Sequence, residues 1–167
     1  MLVTAVVFWE VILAVHIAAV LVTFGVTFAY PLIYLFAAQL DPRAMPWYYR
    51  TRRLLGQRLI SPGLVLVLAA GIYLASDLHQ WKLFYVQWGI GIVVVIGALS
   101  GAFYAPREKK LAALAERDIA GAGAGPGPAA VSWSAEYLSL ARRVAMVDWF
   151  VLALILITVY VMTIQAG

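Results

Sequence analysis

The sequence predicts an all-α integral membrane protein, a bundle of four helices. Three observations predict it. Hydrophobic residues make up 65% of the 167 positions and charged residues only 12%, whereas a soluble domain carries about twice that share of charge. The apolar residues are gathered into four long runs, each close to the roughly 20 residues that a spanning helix needs. No run alternates with period two, so a membrane barrel is excluded.

The runs cover roughly residues 3–29, 59–75, 83–104 and 149–164. The first continues as apolar sequence past Pro31 to Leu40. Proline lacks an amide proton and crowds the preceding turn, so the first helix is expected to kink or end near Ala29. "PLIYLFAAQL" is then expected to lie at the membrane interface. The segments 41–58 and 105–148 read as connecting loops, and 121–130, "GAGAGPGPAA", as a flexible linker. The stretch from Pro106 to Ile119 reads as an extension of the third helix. No separate soluble domain is visible.

Loop charge sets the orientation. Residues 41–58 carry Arg43, Arg50, Arg52, Arg53 and Arg58, residues 105–148 carry six further basic residues, and the rest of the chain carries only Lys82. The positive-inside rule puts both basic segments in the cytoplasm and both termini outside. The net charge of +4 therefore reads as topology, not as nucleic-acid binding. The absence of cysteine excludes disulfides and thiolate metal sites.

The two halves share a pattern. "FAYPLIYLFAAQLDP" and "AFYAPREKKLAALAER" each place aromatics, then proline, then a helical stretch; "WYYRTRRLL" and "WSAEYLSLARRVA" follow them. One reading is a parallel internal repeat of two helices. The other is that any pair of membrane hairpins places prolines and arginines at the same side.

His16 is the candidate for chemistry. On a helix it falls within about 40° of Thr23 and Thr27, a polar stripe expected to face the bundle interior. Its ring either hydrogen-bonds a neighbouring helix or ligates a metal, most naturally a haem iron. A proton relay would need acids at the same depth. Asp148 lies towards the other side of the membrane, and no other acid is expected to be buried. His79 lies in the outer turn. In the third run Gly89, Gly97 and Gly101 share a face, which either lets helices approach closely or leaves room for a flat ligand.

"ILAVHIAAVLVTFGVTFAYPLIY", "RTRRLLGQRLISPGLVLVLAAGIYLA" and "QWKLFYV" resemble the HemJ-type protoporphyrinogen oxidases and the CopD-like copper-resistance proteins, closest to an uncharacterised bacterial branch of that superfamily. The resemblance implies a b-type haem held by His16, with Lys82 in the place of the family's lysine at the start of the third helix. Lys82 sits at the interface, so its role is a haem propionate partner or a snorkelling cation. The further histidine of the HemJ third helix is missing from "IVVVIGALSGA", and "RRVAMVDWF" lacks the family's Asn-Glu pair.

Three functions follow from this reading: a haem-binding redox protein, a non-catalytic accessory subunit of a larger membrane complex, or a small transporter. The bilayer is one partner, and a homodimer or a larger membrane complex supplies the others.

Overall fold

The computed structural model describes residues 7–122 and 131–165; most of the expected linker lies outside them. The four-helix bundle is present and no strand occurs among the described residues. The elements are α1 (Phe8–Leu40), α2 (Met45–Leu55), α3 (Ser61–Asp77), α4 (Phe84–Ala98), α5 (Ala105–Gly121) and α6 (Ala135–Gln165). α2 runs into α3 through a π-helical turn, Gly56–Ile60, and α4 into α5 through another, Leu99–Tyr104. The result is four long helices, all long and apolar enough to cross a membrane.

Two expectations need correction. Of the two alternatives expected at Pro31, a kink or an end, the end does not occur: α1 is helical through Pro31 to Leu40. The proline removes one backbone hydrogen bond, to the carbonyl of Thr27, and packed membrane helices tolerate that loss. The expected helical extension from Pro106 to Ile119 is present, but the described residues of 41–58 and those from Ala135 onward are not loops. They are mostly helix, because hydropathy marks only the lipid-facing part of a helix and these extensions are amphipathic.

The extensions pack on one another. α2 buries Met45, Tyr48, Tyr49 and Arg52, spaced i, i+3, i+4 and i+7, so one face is covered. α5 buries Glu108, Leu111, Ala112 and Ala115 in the same spacing. Tyr137 and Val144 of α6 complete this core. Trp133 stacks on Tyr137 with ring centroids 4.3 Å apart, and Tyr49 and Tyr137 share a hydroxyl hydrogen bond of 3.3 Å. Ser134 accepts from the Tyr137 amide and so caps α6. The Asp118 carboxylate accepts from the Ser134 amide at 2.8 Å and ties α5 to that cap.

The apolar half packs by another rule. Lipid removes the hydrophobic drive between helices, so small residues and close contact decide. α1 lies antiparallel on α3, with Thr23 against Gly63 and His16 against Gly71. A second core, Tyr30, Ile60, Leu64, Ile92, Ile96, Val151 and Ile155, draws on all four long helices.

The connection from α3 to α4 closes with a Schellman motif. The amide of Gln80 donates to the Ala75 carbonyl at 2.9 Å and that of His79 to Ser76 at 3.3 Å. His79 takes the left-handed position, φ 56°, where glycine is usual. The two halves of the chain each form a pair of long helices, but the π-helical turns interrupt the second and third helices and not the first and fourth. Within the described residues the halves are therefore not equivalent at these turns.

Candidate functional site: a buried arginine and its cleft

All four long helices meet at Arg52, which is 5% exposed. Its Nε lies 2.8 Å from the Glu108 carboxylate on α5. Its two terminal nitrogens donate to both oxygens of Asp148 on α6, at 2.8 and 2.5 Å. One of them also reaches the Tyr48 hydroxyl at 3.4 Å. The guanidinium lies over the rings of Tyr30 on α1 and Tyr104, 4.7 and 4.9 Å from their centroids. The Tyr48 hydroxyl in turn donates to the Tyr30 carbonyl at 3.2 Å. Four of the five guanidinium hydrogens are thus used.

Helical spacing produces this convergence. Arg52 continues the buried face of α2, and Glu108 begins that of α5. Asp148 stands between buried Val144 and Val151 on α6. A buried cation and carboxylate, with a second carboxylate half-buried at Asp148, cost several kcal/mol to dehydrate, which good geometry roughly repays. Such a node fixes which helices meet and in what register more than it adds stability.

A cleft of about 280 Å³ opens beside the node. Both π-helical turns line it, through Gly56, Gln57 and Ile60 on one side and Ser100, Gly101 and Tyr104 on the other. Such turns are concentrated at functional sites. Ile60, Ile96, Val151 and Leu152 make part of its lining apolar. Three buried side-chain polar atoms lack a hydrogen-bond partner among the described residues, and two of them, Tyr30 Oη and Arg53 Nε, belong to residues lining this cleft. A second groove of about 370 Å³ shares Arg53, Gln57 and Glu108 with it and adds Arg50, Lys109 and Glu116.

The third orphan atom is His16 Nδ1. The polar stripe of α1 does face inward: Thr23 is buried and Thr27 and Tyr30 line the cleft. Its partners are glycines of α3, not those of the third helix. A Cβ placed on Gly71 would lie 3.2 Å from the His16 ring, and the ring interacts with the Val67 backbone. Gly89 instead faces Met162 and Gly97 faces Leu64. His16 lines neither cleft. Lys82 is exposed in the turn after α3, beyond Asp77, and is not brought to His16. As arranged, His16 offers an unpaired nitrogen that is fully covered, with α3 packed against the ring at Gly71. No group of three metal-ligating side chains occurs among the described residues.

The expectation that no acid besides Asp148 is buried is overturned by Glu108, 3% exposed. The signal was present: each buried stripe carries one charged residue at a core position. No family model matches the chain, and comparison with curated proteins and with solved structures gives no match.

Proposed function

We propose that the protein is a multi-pass protein of the bacterial inner membrane that binds an amphiphilic ligand in the cleft beside Arg52. The observation that carries this reading is the pair of orphan atoms, Tyr30 Oη and Arg53 Nε, on residues of one cleft. A buried polar group without a partner costs about 1–3 kcal/mol; both atoms are covered, so a ligand bearing a hydrogen-bond acceptor relieves that cost by drawing the Tyr30 and Arg53 side chains toward the cleft. The apolar part of the lining and the polar rim ask for a molecule with both characters. On the charge asymmetry of the chain, the basic end with its cleft faces the cytoplasm and both termini face outside.

Native mass spectrometry of protein released gently from its own membrane tests this. The wild-type chain should retain an amphiphile that Ser100→Trp, which fills the cleft, excludes while remaining helical. A ligand-free wild-type spectrum, or an adduct equally present in Ser100→Trp, contradicts the reading. A stoichiometric protein partner in the same spectrum would favour an accessory subunit.

A second reading is haem ligation by His16, with Lys82 at a propionate. The unpaired Nδ1 of His16 favours it, and it requires α1 and α3 to part at Gly71. Bound there, a b-type haem would supply redox chemistry. Protein expressed with added haem would show a Soret band that His16→Ala abolishes; a colourless wild-type protein would end this reading.

A further inference from the structure

We infer that the cleft ligand is an anionic phospholipid, its phosphate held by Arg53 with Lys109 and Gln57 beside it. This rests on the cleft reading and adds the ligand's charge and the residue that recognises it. Arg52 is not that residue, since four of its five hydrogens and its charge are committed to Glu108, Asp148 and Tyr48. Arg53, next along α2, points its buried Nε to no acceptor among the described residues. It lines both the cleft and the adjoining groove, and so stands where the two join.

Charge selects the ligand. Across the two depressions, Arg50 pairs with Glu116. Arg52 and Arg53 are balanced by Glu108 and Asp148, and Lys109 remains. The surplus is one positive charge, which a phosphodiester with a neutral headgroup cancels. An arginine fork matches phosphate oxygens better than a point charge does.

Position selects a lipid over a free anion. The polar rim lies where the apolar runs of the second and third helices give way to their basic extensions. That is the depth of a headgroup in the cytoplasmic leaflet. Exposed Gly101, with nothing near the place of a Cβ, leaves the side of the cleft open for the start of an acyl chain.

The test is a titration of the full chain in neutral detergent with phosphatidylglycerol, phosphatidylcholine or inorganic phosphate, read by native mass spectrometry. Phosphatidylglycerol should bind about tenfold more tightly than phosphatidylcholine, the scale of one charge-assisted contact. R53Q/K109Q should lose that preference, Arg53→Lys should keep part of it, and R142Q/R143Q, which removes two exposed cations of α6, should leave it intact. Arg53→Lys also decides the matter if R53Q/K109Q does not fold, since full retention of affinity would refute a fork. Equal binding of the two lipids, a preference that survives R53Q/K109Q, or inorganic phosphate binding as tightly as phosphatidylglycerol would overturn the inference. If both lipids bind equally and Ser100→Trp excludes both, only the charge assignment fails; if Ser100→Trp retains both, the cleft reading fails with it.

Discussion

Arg52 and Asp148, 96 residues apart in the chain, meet in a two-pronged ion pair across the bundle. With Glu108 they make a node that ties the second, third and fourth helices, and the Tyr30 ring adds the first. The cleft opens beside this node, lined by both π-helical turns, with Gly56 of one facing Ser100 of the other.

The node predicts an ordered series of stabilities. Arg52→Gln leaves two buried carboxylates facing each other and should cost about 3–5 kcal/mol. Asp148→Asn keeps one acceptor and should cost less. Replacing all three charges, R52M/E108L/D148L, should recover most of the loss, since apolar substitutes for a buried ionic cluster are often neutral. Thermal unfolding in detergent measures the order; a triple variant as weak as Arg52→Gln would contradict it.

The α1–α3 contact predicts a contrast between two glycines. A Cβ on Gly63 would fall 2.1 Å from Thr23 Oγ1 and 3.1 Å from its Cβ, and Thr23 is 1% exposed. Gly63→Ala should therefore destabilise by about 1–3 kcal/mol. Gly91 has open space around the same position, so Gly91→Ala should stabilise its helix by up to about 1 kcal/mol. The same unfolding measurement reads both, and equal effects would contradict the packing.

Much of this was legible in the sequence, and what was not has a physical cause. Four apolar runs announced four helices, and the polar stripe of His16, Thr23 and Thr27 announced an inward face. The Arg52 node is hidden when 41–58 and the stretch leading to Asp148 are read as loops, and Glu108, though on an expected helical extension, is read as solvated. A hydropathy window sees the lipid-exposed length of a helix and stops where polar residues begin. Reading Met45, Tyr48, Tyr49 and Arg52 by helical period instead places the arginine in the core. The pairing of His16 with Gly71 was out of reach, since periodicity gives the face of a helix and not the neighbour that it meets.

His16 itself should be replaceable. Its Nδ1 makes no hydrogen bond to lose, and an apolar residue of similar size removes the cost of covering a polar atom. His16→Leu should unfold at the wild-type temperature or above. A marked loss of stability in that variant would show that the ring's interaction with the Val67 backbone outweighs the cost of the covered nitrogen.

Orientation is checked by fusion. A reporter active only in the cytoplasm should be silent after Gly167 and active when inserted in the 121–130 linker. The opposite pattern would reverse the leaflet assigned to the cleft.

The most direct measurement is photo-crosslinking in native membranes with a phosphatidylglycerol that carries a diazirine near the top of one acyl chain, followed by peptide mapping. The account predicts adducts concentrated on residues 56–60 and 99–104, the two turns that line the cleft. Adducts spread evenly over the exposed apolar faces, on Leu21, Val65 and Tyr160 as readily as on Gly101, would contradict it.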